Sequence, residues 1–238
     1  MAKESDDMRF GKIALVAVLL AGAPFAAQAA TYQVDSGLTS SVYGFGALES
    51  IGLAFVGTTG AVPGALGPNS ISYGINSRNA VDPYLPTTFV YTPGTLAPFA
   101  GSIEHDGAIF LTDAATQTAA ITIGNFTIGF DAARVGTASP DANGFFVKDN
   151  IDTGLVLFDI ANGIIEALEG SLVLVGDFVV SPELSAFLND AGLVDTEVTG
   201  LDMGLGMTVA NSSIIPVPAA VWLFGSALGL LVWVRRRA

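Results

Sequence analysis

Cysteine is absent from this 238-residue chain, and histidine occurs once, as His105. The first absence removes disulfides as a source of stability, so packing must supply it. Together the two leave too few thiolate and imidazole donors for a zinc or other transition-metal site, and no metal and no cofactor is expected. Basic residues are also scarce, with 9 Lys and Arg against 22 Asp and Glu and a net charge of −13 at pH 7. Between Ala30 and Ser213 the only basic residues are Arg78, Arg134 and Lys148. A body of that sign repels nucleic acid and anionic lipid, so neither a DNA nor an RNA partner is expected. Both tryptophans, Trp222 and Trp233, lie close to the C terminus. The body therefore lacks the side chain best suited to stacking on sugar rings in a glycosidase cleft.

Charge is missing from one stretch altogether. From Ile214 to Val234 there is no ionisable side chain, and Arg235, Arg236 and Arg237 follow at once. At about 1.5 Å rise per residue this segment nearly crosses a hydrocarbon core of about 30 Å, so a transmembrane helix is expected. The three arginines are costly to translocate and place the preceding chain outside the cytoplasm. At the other end, Arg9 and Lys12 precede the apolar run Ile13 to Leu20, and Ala27-Gln28-Ala29 is a small-x-small cleavage site. This reads as a signal peptide over 1–29, removed after Ala29 and handled by Sec-type export machinery. Glu4, Asp6 and Asp7 do not suit such a leader, which makes Met8 the expected start of translation.

The segment Ile215-Pro216-Val217-Pro218-Ala219-Ala220-Val221-Trp222-Leu223-Phe224-Gly225-Ser226 resembles the PEP-CTERM sorting tail, in its variant with an aliphatic residue between the prolines. The resemblance implies recognition of Ile215, Pro216, Val217, Pro218 and Ala219 by an exosortase, a membrane-embedded transpeptidase-like enzyme of Gram-negative bacteria. It implies passage from an inner-membrane precursor to the cell surface or the extracellular matrix. Physics gives the motif a reason: each proline fixes φ and biases the residue before it toward extended geometry, leaving a strip that a protease-like cleft can bind.

The body, 30–209, reads as strands. Ser41 to Val56 shows little helical periodicity, and Ser70 to Asn76 and Thr87 to Tyr91 are short strand candidates between prolines. In Ile121-Thr122-Ile123-Gly124-Asn125-Phe126-Thr127-Ile128 the apolar phase flips across Gly124-Asn125, which predicts a two-residue hairpin facing Ile123 with Phe126 and Ile121 with Ile128. Asn143-Gly144 and Asn162-Gly163 predict two further hairpin turns. One short helix is expected, capped by Ser181, with Pro182 and Glu183 in its first turn and Leu184, Phe187 and Leu188 on one face. Thr196 to Val209 predicts a last strand, and 210–213 a linker to the tail at 214–238. An antiparallel β-sandwich ectodomain follows from these elements.

Chemistry is sparse in this pattern. His105, within Glu104-His105-Asp106-Gly107, reads as a surface-turn histidine, and no G-x-S-x-G elbow accompanies it. Asp149-Asn150-Ile151-Asp152-Thr153-Gly154 clusters oxygen ligands of the kind calcium takes, yet without the spacing of an EF-hand loop. No catalytic residue is expected. The reading is an exported surface or matrix protein with a structural or binding body, its candidate partners including extracellular polysaccharide. A carbohydrate- or calcium-binding adhesin is the alternative, and a secreted hydrolase a third.

Overall fold

The computed structural model describes residues 30–216, apart from 64–65, 68–69, 95–98 and 119–120. The chain is mainly β, and its strands run in order β1 (Tyr32–Tyr43), β2 (Leu53–Thr59), β3 (Val62–Pro63), β4 (Ser70–Gly74), β5 (Val90–Tyr91), β6 (Ser102–Glu104) and β7 (Ala108–Asp113). They continue with β8 (Ile121–Gly124), β9 (Thr127–Phe130), β10 (Ala142–Lys148), β11 (Val156–Leu168), β12 (Ser171–Val180) and β13 (Asp202–Ile214). Among the described residues two short α-helices accompany them, α1 (Phe45–Ser50) and α2 (Pro182–Asp190), with one 3-10 turn at Ala132–Arg134.

Two antiparallel sheets result. The larger has the order β3-β4-β1-β13-β12-β11-β10-β9-β6, with β5 added to β1, and the smaller is β2-β7-β8. The first and last described strands lie side by side within the large sheet, third and fourth from its β3 edge, paired from Tyr32↔Ile214 to Tyr43↔Gly204. Alternation explains the long strands: in β12, Leu172, Leu174 and Phe178 are buried, whereas Val173, Val175 and Asp177 between them are half-buried. The large sheet also bends back on itself. Ile75, just past β4, bridges His105, just past β6, and the Asn76 N–H donates to the Glu104 carbonyl at 2.7 Å. Inside this curl Phe89, Phe99, Phe130 and Phe145 pack with ring centroids 5.1 to 6.1 Å apart. Aromatic contacts of this kind add about 0.5–1.5 kcal/mol each beyond the area they bury.

The hairpin expected at Gly124-Asn125 does not form. Asn125 does take the left-handed conformation, with φ 44°. However, β8 pairs with β7, placing Ile123 opposite Ile109, while β9 pairs with β6 and β10, placing Ile128 opposite Ile103 and Val147. The turn thus carries the chain from one sheet to the other. Asn143-Gly144 lies inside β10 and Asn162-Gly163 inside β11, at register shifts where Gly144 (φ 93°) and Asn162 (φ 51°) occupy bulges. Two further expectations are corrected. Phe45 to Ser50 is helical, and 210–213 is the end of β13, bonded on both sides to β1 and β12 as far as Asn211 and to β1 beyond it. No linker precedes Ile214.

Helix α2 matches its prediction closely. The Ser181 hydroxyl accepts from the Leu184 N–H at 3.0 Å, Pro182 opens the first turn, and Leu184 and Leu188 are buried. Among the described residues no helix is long and apolar enough to cross a membrane.

Candidate functional site

The seam where the large sheet meets its own far end forms a polar cleft. Asn76 follows β4, Glu104 ends β6, His105 continues it, Asn125 sits on the crossover between sheets, and Asn150 follows β10. With Pro83, Tyr84 and Leu85 they line a cleft of about 230 Å³. That is far above the roughly 10–15 Å³ one water requires. The rim comes from a loop tied at its neck, where the Thr87 N–H meets the Ser77 carbonyl at 3.4 Å and the Asn76 amide donates to the Leu85 carbonyl at 3.1 Å. Its tip exposes Val81, Tyr84 and Leu85.

The floor of the cleft is a fixed chain of hydrogen bonds. The Asn150 amide donates to the Asn125 carbonyl and, at 2.7 Å, to Thr127 Oγ1, which in turn donates to Glu104 Oε2 at 2.6 Å. Glu104 is 5% exposed, and its N–H is held by Thr87 Oγ1 at 3.1 Å. Asn125 Oδ1 accepts from the Gly107 N–H at 3.3 Å. These bonds use up the Asn150 NH₂ and, among the described residues, leave Glu104 Oε1 and the Asn76 and Asn150 Oδ1 atoms as open acceptors and the Asn125 NH₂ as an open donor. Sequence reading missed the cleft, because Asn76, Tyr84, Glu104 and Asn125 come from four separate segments.

His105 is not a surface residue. It is 3% exposed, with Nδ1 3.0 Å from the Phe126 carbonyl and Nε2 2.7 Å from Thr39 Oγ1. A carbonyl can only accept, so Nδ1 carries the proton and Nε2 accepts from Thr39. Thr39 is then free to accept from Thr208, 2.9 Å away. Burial pushes the His105 pKa down to about 4, against the opposing pull of the Phe126 carbonyl, and the ring is neutral at pH 7. A hydroxyl beside a neutral imidazole has the outline of a nucleophile and its base. The space beside it, bounded by Thr39, Tyr73, Phe126 and Phe178, is about 20 Å³, which is room for water and not for a substrate.

The Asp149 loop is built by donors. Asp149 Oδ1 accepts from the N–H groups of Gly124 (2.7 Å) and Ile151 (3.0 Å), and Oδ2 from the Thr153 N–H (2.7 Å) and hydroxyl (2.8 Å). Burial pushes this carboxyl up, but the hydrogen bonds outweigh it and hold it below the usual carboxylate range. Asp152 Oδ2 accepts from the Thr122 N–H at 2.9 Å. The cluster of calcium-type oxygens therefore fastens the crossover at Gly124 to the end of β10. No group of three or more acidic or histidine side chains placed to hold a metal ion occurs among the described residues.

Arg134 marks a third polar centre. Asp131 caps the 3-10 turn Ala132–Arg134, accepting from the Ala133 N–H at 2.9 Å, and so aims Arg134 at two acids. Its guanidinium donates to both Asp159 oxygens (2.6 and 2.9 Å) and both Glu183 oxygens (2.7 and 2.9 Å). The bonds to Glu183 raise the Arg134 pKa, and Arg134 holds Glu183 below the usual range. Both acids are occupied, so the centre is a clamp between β11 and α2.

Of the sorting residues, the Ile215 N–H donates to the Thr31 carbonyl at 2.8 Å, and Pro216 is the last described residue. Val217, Pro218, Ala219, Arg235, Arg236 and Arg237 lie outside the described residues, as do Ala27 and Ala29.

No protein-family model matches the chain, and no curated protein matches it. Among solved structures it is similar to the C-terminal domain of HtaA from Corynebacterium glutamicum, at a TM-score of 0.47 and 12% identity, over 76% of this chain and 99% of that one.

Proposed function

We propose that this is an exported, non-enzymatic protein, delivered to the cell surface or extracellular matrix by its PEP-CTERM-like tail and displaying the β domain as a structural or binding body. The observation that carries the reading is the pairing of Tyr32 with Ile214, extended by the bond from the Ile215 N–H to the Thr31 carbonyl. The expected signal-peptide junction after Ala29 and the sorting strip from Ile215 leave the domain at one corner. A protein released at both junctions would keep β1 and β13, the strands next to its two new ends, paired within the large sheet. Pro216, following directly on the last strand bond, fits a strip that begins where the sheet stops. A membrane helix with Arg235 to Arg237 on the cytoplasmic side would hold the domain close to the outer leaflet of the inner membrane before processing.

The reading is tested by a reporter active only in the cytoplasm, inserted before Ile214 in the native host. Silence is expected, and activity would remove the topology. The adhesin alternative splits into its two ligands. Calcium at Asp149 is disfavoured by four donors on that carboxylate, whereas the cleft at Glu104 supports a ligand of another kind.

A further inference from the structure

We propose that the cleft beneath the Ser77 to Pro86 loop is a binding site that takes a neutral polyhydroxylated ligand, a saccharide residue. This deepens the reading of the body as a binding module and does not depend on how the chain is sorted. Three observations converge. First, the polar groups left open are of the mixed kind that vicinal hydroxyls satisfy: a hydroxyl both donates and accepts, and here Glu104 Oε1, Asn76 Oδ1 and Asn150 Oδ1 accept while the Asn125 NH₂ donates. Secondly, these groups are held before any ligand arrives. Thr127 fixes both Asn150 and Glu104, and Glu104 is buried behind it, so little side-chain entropy is lost on binding. Thirdly, the exposed side chains Tyr84 and Leu85, together with Pro83, supply the apolar flank on which the C–H face of a pyranose rests.

Charge narrows the class. Among the described residues Glu104 is the one carboxylate lining the cleft and no Lys or Arg lines it, so an anion would meet repulsion without compensation. A calcium ion needs six to eight oxygens close around it, a requirement the single carboxylate and two spare amide oxygens do not meet across 230 Å³. A site of this shape lies where ligand sites commonly occur, at the mouth formed as a curved sheet closes on itself.

The experiment uses the full-length chain purified in detergent, with saturation-transfer difference NMR against D-glucose, D-galactose, D-mannose and N-acetyl-D-glucosamine, each up to about 100 mM, enough to fill a site with a Kd of about 10 mM. At least one sugar is expected to receive transfer. Glu104→Gln, which keeps shape and removes charge, should weaken its binding about tenfold or more. Tyr84→Ala, on an exposed loop tip and harmless to the fold, should weaken it as well. Each variant's thermal unfolding is recorded alongside, and Tyr84→Ala decides the matter if Glu104→Gln does not fold. No transfer to any of the four, transfer unchanged in both variants, or calcium binding that Glu104→Gln abolishes with no sugar bound would each overturn the proposal. None of these outcomes bears on export, which the reporter fusion reads separately.

Discussion

The Thr39 hydroxyl donates to Nε2 of His105 across 2.7 Å, joining β1 to a residue 66 positions further along the chain. That bond needs a neutral imidazole, because a protonated ring has a hydrogen where Thr39 places its own. Thr39 can turn its hydrogen away, but it then meets Thr208, which must also reorient. The first prediction comes from this conflict. The histidine has a pKa near 4 in the folded chain and about 6.5 when unfolded. Its stabilising contribution is therefore fully present above about pH 6.5, and it is lost as pH falls toward 4 because the unfolded chain binds the proton first. The interval corresponds to about 3 kcal/mol. Urea unfolding at pH 7.0 and at pH 4.5 should show this fall in wild type. His105→Asn should be less stable at neutral pH by roughly 1–3 kcal/mol, with a much shallower fall between the two conditions.

Arg134 tests the clamp between β11 and α2. Asp159 has a side chain 1% exposed, against 40% for Glu183. Arg134→Met strands the buried Asp159 carboxylate and should cost about 3–5 kcal/mol. Glu183→Gln leaves Arg134 on Asp159 and should cost about 1 kcal/mol or less. Denaturant midpoints for the two variants check the ordering. Equal losses would mean that Asp159 is not the buried anchor.

How much of this could be read from sequence is shown by Gly124-Asn125. The phase flip there was legible, and Asn125 does take positive φ, but a flip says only that the chain changes face. Whether the flanking strands then pair with each other depends on remote partners, and Leu111 and Ile109 claim Ile121 and Ile123 while Val147 claims Ile128. Asn162-Gly163 teaches the same lesson inside a continuous strand, since a bulge and a hairpin ask for the same local conformation. Helix α2 was legible because its cap, first-turn acid and apolar face are all local. The role of Glu183 as a partner of Arg134, 49 residues away, was not. The cleft was hidden for a similar reason: sequence showed Glu104 and His105 as a polar run typical of a surface turn, and only closure of the sheet buries them.

Gly124 also gives a direct test of the crossover. A Cβ there would meet the Gly107 carbonyl oxygen and, at 2.7 Å, the Ala108 Cα, both backbone atoms. Gly57, in β2, has no atom within 4 Å of such a Cβ. Gly124→Ala should lower stability by roughly 2 kcal/mol or more, and Gly57→Ala should change it by less than about 0.5 kcal/mol. Thermal melts of the pair decide it.

Calcium should do little. Because four donors already occupy Asp149, millimolar calcium should not raise the melting temperature through binding to the folded state, and a chelator should not lower it. A rise of many degrees would return calcium to the loop. Asp149→Asn, which loses one accepting oxygen and the charge, should cost about 2–4 kcal/mol in denaturant unfolding with or without calcium.

Delivery by the tail is the central claim, and Pro216 and Pro218 are where it can fail. Changing both to alanine restores two N–H donors and frees Ile215 and Val217 from their extended bias, while the segment stays apolar and long enough to insert. The measurement is the mass of the protein recovered from the native host, wild type against Pro216→Ala/Pro218→Ala, in inner-membrane and surface fractions. Wild type should appear as a mature form lacking the apolar tail and Arg235 to Arg237, and the double variant should accumulate in the inner membrane with the tail intact. A double variant that matures and leaves the inner membrane as wild type does would contradict the sorting account and reduce the tail to an anchor.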